Sequence, residues 1–210
     1  MKSVFLIIIT CIFYSEIYSQ SFTESAFNSC KSVVDTSESI DMIQLCSNTF
    51  ERILNVSQND SLLLFYSVLC QTKMAYLSLQ TNTLYAINYL KTTRTQLNYL
   101  DTTFRFGIET EIIKLFQTII TLKSNNNRFN EINSFENEIK GFYLNNKKTA
   151  RGNLVYAFYL YHFKKSQKKV TESLLKTSLV LFEKEESLKL PINWGKHLAK
   201  SLFNNLKQMN

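Results

Sequence analysis

Turn-forming residues are almost missing from this chain. Its 210 residues include four glycines and one proline, too few for the many tight turns that an all-β fold needs. Apolar and aromatic residues are nonetheless abundant, at 45% of the chain, which disfavours disorder. Long helices with short polar connections are what remains.

The apolar spacing follows helical periodicity from end to end. Phe27, Cys30, Val33 and Val34 share one face, and after "DTSESID" the stripe resumes at Ile43, Cys46, Phe50, Ile53 and Leu54. "SQNDS" breaks it, leaving Asn59, Asp60 or Ser61 to cap a third helix with Leu62, Phe65, Leu69, Tyr76 and Leu77 inward. Leu84, Ile87, Leu90, Leu97 and Leu100 predict a fourth, and Phe104, Ile108, Ile112, Leu115, Phe116 and Ile119 a fifth over Thr102 to Lys123. Ile132, Phe135, Ile139 and Phe142 mark a sixth. "ARGNLVYAFYLYHFKK" is dense in aromatics and is expected at the centre; "VTESLLKTSLVLFEKEES" and "NWGKHLAKSLFNNLKQM" complete nine. The expected fold is all-α: antiparallel hairpins stacked as a short α-solenoid with a capping C-terminal helix. Ala86 and Leu90 fit the second helix of a tetratricopeptide repeat.

The N-terminus reads as a secretory signal: Lys2, an apolar run from Phe5 to Phe13, then small residues with Ile17 and Ser19 at the recognition positions. The run is far short of the about 20 residues that span a bilayer. Residues 1–19 are therefore expected to be removed, leaving 20–210 as one helical domain in the periplasm or outside the cell. Charge is uneven. Residues 20–145 carry 10 basic and 12 acidic side chains, residues 146–210 carry 13 and 4. Such a basic third attracts acidic proteins, anionic glycans or lipid head groups; export makes nucleic acid an unsuitable partner.

Chemistry-bearing motifs are scarce. No glycine-rich phosphate loop or zincin motif occurs, and no Cys-x-x-Cys. No catalytic residue, metal or cofactor is expected, and the chain is read as a non-enzyme. His162, in the aromatic helix, and His197, near the C-terminus, lack an oriented partner in sequence; Glu109 and Glu111, two apart on a helix, are expected in solvent. Cys30 and Cys46 flank a turn near Thr36 on apolar faces, at similar heights if the helices are antiparallel. They either form a disulfide in an oxidising compartment or stay buried thiols. Lys164, Lys165, Lys168 and Lys169, in "KKSQKK", are either a solvated turn or a landing site for an anionic surface. Asn55 and Asn59 fit glycosylation sequons.

Pro191, Asn193, Trp194 and Gly195 crowd together near the end. The proline stops the eighth helix, Asn193 is placed to cap the ninth, Trp194 is expected as its first residue, covering the end of the core, and Gly195 permits close approach. The stretch "SLLKTSLVLFEKEESLKLPINWGKHLAKSLFNNL" resembles the C-terminal end of exported bacterial tetratricopeptide-like proteins, through Leu181, Phe182, Glu183, Pro191, Trp194, Gly195 and Lys196. Gly107 and Glu111 are similarly placed upstream. The resemblance implies a helical-repeat fold and, by analogy, binding of a protein or peptide of the cell envelope. An anionic lipid or glycan held by the basic C-terminal third is the alternative.

Overall fold

The structure, a computed structural model, describes residues 24–57, 60–79, 81–104, 107–125, 129–187 and 194–208. Among these residues it is all-α, with no strand. Helix α1 covers residues 24–36, α2 Ile40–Val56, α3 Ser61–Ser78 and α4 Thr83–Tyr99, which runs on into a wider π-helical turn, Leu100–Phe104. Then come α5 Ile108–Ser124, α6 Phe129–Asn146, α7 Ala150–Phe163, a 3-10 turn Lys165–Gln167, α8 Lys168–Ser187 and α9 Lys196–Gln208. No helix among the described residues is long and apolar enough to cross a membrane. The proposed signal peptide, Asn59, Pro191 and Asn193 lie outside the described residues.

Local chemistry starts the helices where polar residues interrupt the apolar pattern. Ser39 accepts from the Met42 N–H, Asp60 from Leu62 and Leu63, Asn82 from Leu84 and Tyr85, and Thr149 from Gly152. Each such cap is worth about 1 kcal/mol. Of the three residues placed to begin α3, Asp60 does so.

Two boundaries correct the sequence reading. The fifth helix begins at Ile108 and not at Thr102, because Gly107, with φ 54°, breaks the path. Thr102 and Phe104 belong instead to the π turn ending α4. From that turn Asp101 accepts from Lys114 at 2.7 Å and from the Thr110 hydroxyl at 3.1 Å, bonds that hold its carboxyl below the usual range. The second correction concerns α9, which starts at Lys196, so Trp194 precedes the helix.

Consecutive helices lie side by side, and three hairpins run antiparallel. Phe50 meets Tyr66 at 6.1 Å across α2 and α3, Thr92 donates to Gln71 across α4 and α3, and the Ser178 hydroxyl donates to the Ala150 carbonyl at 2.9 Å across α8 and α7. Helices two apart also touch: α3 with α5, α5 with α7, α7 with α9. Gln117 on α5 donates to Thr72 on α3 and Thr93 on α4, both at 2.9 Å. One apolar cluster runs from Val34 to Leu206.

Burial differs by layer. α3 and α7 are enclosed around most of their circumference, as the aromatic density of α7 predicted. α4 buries only Ala86, Leu90, Thr93 and Leu97; of the expected stripe Leu90, Leu97 and, in the π turn, Leu100 are buried, Ile87 is half-buried, and Leu84 is 62% exposed. The chain then returns on itself. The Gly195 N–H donates to Asp35 Oδ1 at 2.7 Å, joining the entry of α9 to the end of α1.

Candidate functional site

A cleft of about 730 Å³ opens where the start of α2, the second half of α3, the start of α4 and α9 face one another. Its walls carry Asp41, Glu38, Tyr85, Tyr89, His197 and Ser201, with Lys73 and Tyr76 at its inner end. Behind it lies a chamber of about 50 Å³, room for a few waters by volume. Val34, Leu69, Ile113, Phe116, Ile120 and Trp194 line it. Those walls give water almost nothing to bond, so an apolar group is the better occupant. Cleft and chamber share Lys73, Tyr76 and Leu198 in their walls.

Lys73 shapes the passage between them. Its ammonium donates to the Val34 carbonyl at 2.6 Å and the Asp35 carbonyl at 2.8 Å, satisfying carbonyls that α1 leaves open at its end. Burial pushes its pKa down to about 8, against the opposing pull of Asp35 and Glu38. Burial likewise pushes the Tyr76 hydroxyl up to about 12. Glu38 lies 3.6 Å from His197 Nε2.

The far wall is held by a buried charge cluster. Arg151, 4% exposed, donates to Glu185 at 2.8 Å and lies 3.5 Å from Glu109. Its guanidinium stands 5.4 Å from the Phe182 ring centre and 5.7 Å from that of Trp194. The Trp194 indole N–H donates to Glu109 at 3.1 Å, and its ring meets Phe116 edge-on at 5.7 Å. Burial pushes the Glu109 carboxyl up, with Arg151 and the indole pulling the other way. Gly195 turns at φ 97°; a Cβ there would come 2.9 Å from Leu154 and 3.1 Å from Phe182.

No known protein family, curated protein or solved structure matches this chain. The likeness to tetratricopeptide-like proteins thus rests on the matched residues alone.

The structure sorts the sequence candidates. Trp194 is buried, at 6% exposure, and Gly195 beside it, with side chains of α7 and α8 rather than a backbone approaching the glycine. Glu109 is not in solvent; it serves the Arg151 cluster, while Glu111 is exposed. In α7, Phe158, Tyr159 and Leu160 are fully buried, while Tyr161 and His162 near its end line a separate cavity. Cys30, Cys46 and Cys70 are free thiols, and Cys30 and Cys46 are neighbours joined by a thiol hydrogen bond. Burial and then that bond push Cys46 up to about 12, and burial raises Cys70 well above a normal thiol. His162 ends α7 with its ring 4.5 Å from Phe158 and 5.1 Å from Tyr161. Lys164 follows α7, Lys165 opens the 3-10 turn, and Lys168 and Lys169 begin α8. Among the described residues no group of three or more His, Cys, Asp or Glu could hold a metal ion.

Lys73 and Arg151 carry the geometry and were missed in sequence. Each is a single cation inside an otherwise apolar helix, and that isolation was the available signal.

Proposed function

We propose that the chain is a non-enzymatic, exported helical-repeat protein that holds an extended segment of an envelope protein or peptide. Its helices stack in the tetratricopeptide-like manner, with α9 as the closing element and its entry folded against α1. One side chain of the bound segment enters the apolar chamber while the flanking backbone lies in the cleft. The observation that carries this reading is the shared wall of Lys73, Tyr76 and Leu198, which makes a polar cleft continuous with an apolar recess. Small-ligand and peptide sites commonly combine an apolar interior with a few polar groups at the mouth. Asp41 and Glu38 at the mouth favour a segment with a basic residue beside its apolar anchor. Export to an oxidising compartment would let Cys30 and Cys46 join as a disulfide, tying the first hairpin.

Selection of displayed random peptides on the full chain tests this. Enriched peptides are expected to share one aliphatic or aromatic residue next to Lys or Arg. Leu198→Trp would fill the shared wall and weaken them about ten- to a hundredfold, the worth of one buried apolar side chain. Undiminished binding to that variant, with helicity unchanged, discards the cleft as the site; so does a selection that enriches nothing.

A further inference from the structure

The other end of α7 holds a second cavity, of about 360 Å³, within the size range of small-ligand sites. Lys123 from the last turn of α5, His162 from the end of α7, Lys164 and Lys165 from the turn and Lys168 from α8 all line it, with Tyr161. No carboxylate is among the described residues that do so. We propose that this cavity binds a phosphomonoester group, free in solution or on a lipid head group, through these lysines and His162.

Four lysines from three elements line it, a setting that favours a multiply charged anion over a singly charged one. Glu136 pairs with Lys164 at 2.7 Å and does not itself line the cavity. A phosphomonoester carries close to two negative charges and three acceptor oxygens at neutral pH, and lysine is a common phosphate binder through its point charge. Thr171, one turn into α8, also lines the cavity. The first turn of α8 contains no acidic residue and begins with Lys168 and Lys169. Cations at the positive end of a helix dipole are unfavourable unless an anion joins them. Lys169 itself is exposed, so the cavity takes in Lys123 where the sequence cluster suggested Lys169.

His162 adds an independent sign. Its Nε2 is buried and has no hydrogen-bond partner among the described residues. Burial, and then the charge of Lys123, pushes its pKa down to about 4. Tyr76 and Tyr161 are the other titratable groups packed on its ring, and neither is a carboxylate. A dianion in the cavity would reverse that balance and let the imidazole take a proton and donate.

The chain has two histidines, so NMR titration of the imidazoles reads the site directly in the full protein. With inorganic phosphate added at constant ionic strength, the His162 midpoint is expected to rise by at least about one unit, a tenfold change. His197 should not move. Chloride should leave both in place, and Lys123→Met with Lys168→Met should abolish the response while His197 still titrates as in the native fold. Competition by phosphatidic acid vesicles, against none by phosphatidylglycerol vesicles, would assign the group to a lipid; competition by neither would assign it to a soluble phosphomonoester. An unmoved His162 midpoint in phosphate, or an equal rise in chloride, overturns the proposal without touching the peptide cleft.

Discussion

At the N-terminal end of α7 a buried cation arrives with the carboxylates that neutralise it; at the C-terminal end a buried imidazole sits among lysines. Arg151 has Glu185 at 2.8 Å, Glu109 at 3.5 Å and two aromatic faces around it. His162 has rings on three sides and a nitrogen with no described partner, beside a cavity lined by Lys123, Lys164, Lys165 and Lys168. The first end is electrically complete and ties together α5, α7, α8 and the entry to α9. The second is the end proposed above to take an anion from outside. A buried pair is a poor source of net stability, but removing one member leaves a charge stranded, and that asymmetry separates structural charge from ligand-ready charge.

The largest expected effect breaks the complete end. Arg151→Met strands Glu109 and Glu185 in the interior and should cost about 3–5 kcal/mol, read as a lower urea midpoint with unchanged dependence on denaturant. Loss no greater than about 1 kcal/mol would mean that the cluster relaxes to water, and the contrast between the ends would fail.

His162 sharpens the contrast through pH. Its folded pKa of about 4 lies below the ordinary value of 6.5. Between those values the unfolded chain binds the proton and the folded chain does not. Stability is therefore whole above the ordinary value and falls as the solution is acidified toward about pH 4, by about 3 kcal/mol. His162→Phe should remove that part of the acid sensitivity, measured as the difference between variant and parent urea midpoints across the window. Equal acid sensitivity in both proteins would place the imidazole in water.

Local features of this fold were legible in sequence and long-range ones were not. Scarce glycine and proline with continuous 3.6-residue periodicity fixed the helical class, and the polar break before Ser61 held the Asp60 cap, because each depends on neighbours a few residues away. The aromatic run marked α7 as interior. The two-residue spacing of Glu109 and Glu111 suggests solvent for both; yet residues two apart face different ways, which is why one is half-buried and the other exposed. Nothing local announces that Glu109, Arg151, Glu185 and Trp194, from separate elements, meet around one guanidinium. Lys123 likewise joins the lysine cluster only through the packing of α5 beside α7. The helix starts only after Trp194 because Gly195 takes φ 97°, at a place where a Cβ would meet Leu154 and Phe182.

The smallest expected effect tests how the complete end divides its charge. Glu109→Gln retains an oxygen to accept from the Trp194 indole, and Arg151 keeps the shorter contact with Glu185. Lost attraction and relieved desolvation nearly cancel, so stability at neutral pH should change by less than about 1 kcal/mol. Its pH dependence should change more clearly. Burial raises the Glu109 carboxyl, so the folded chain holds that proton to higher pH than the unfolded chain does. This contribution to stability is present in acid and lost as pH rises through the raised folded value, opposite in sign to that of His162. The glutamine variant should lack it, giving a stability profile that rises more steeply from acid to neutral than the parent's. A variant as unstable as Arg151→Met would make Glu109, not Glu185, the main partner of the guanidinium, and the longer 3.5 Å contact would then outweigh the shorter one.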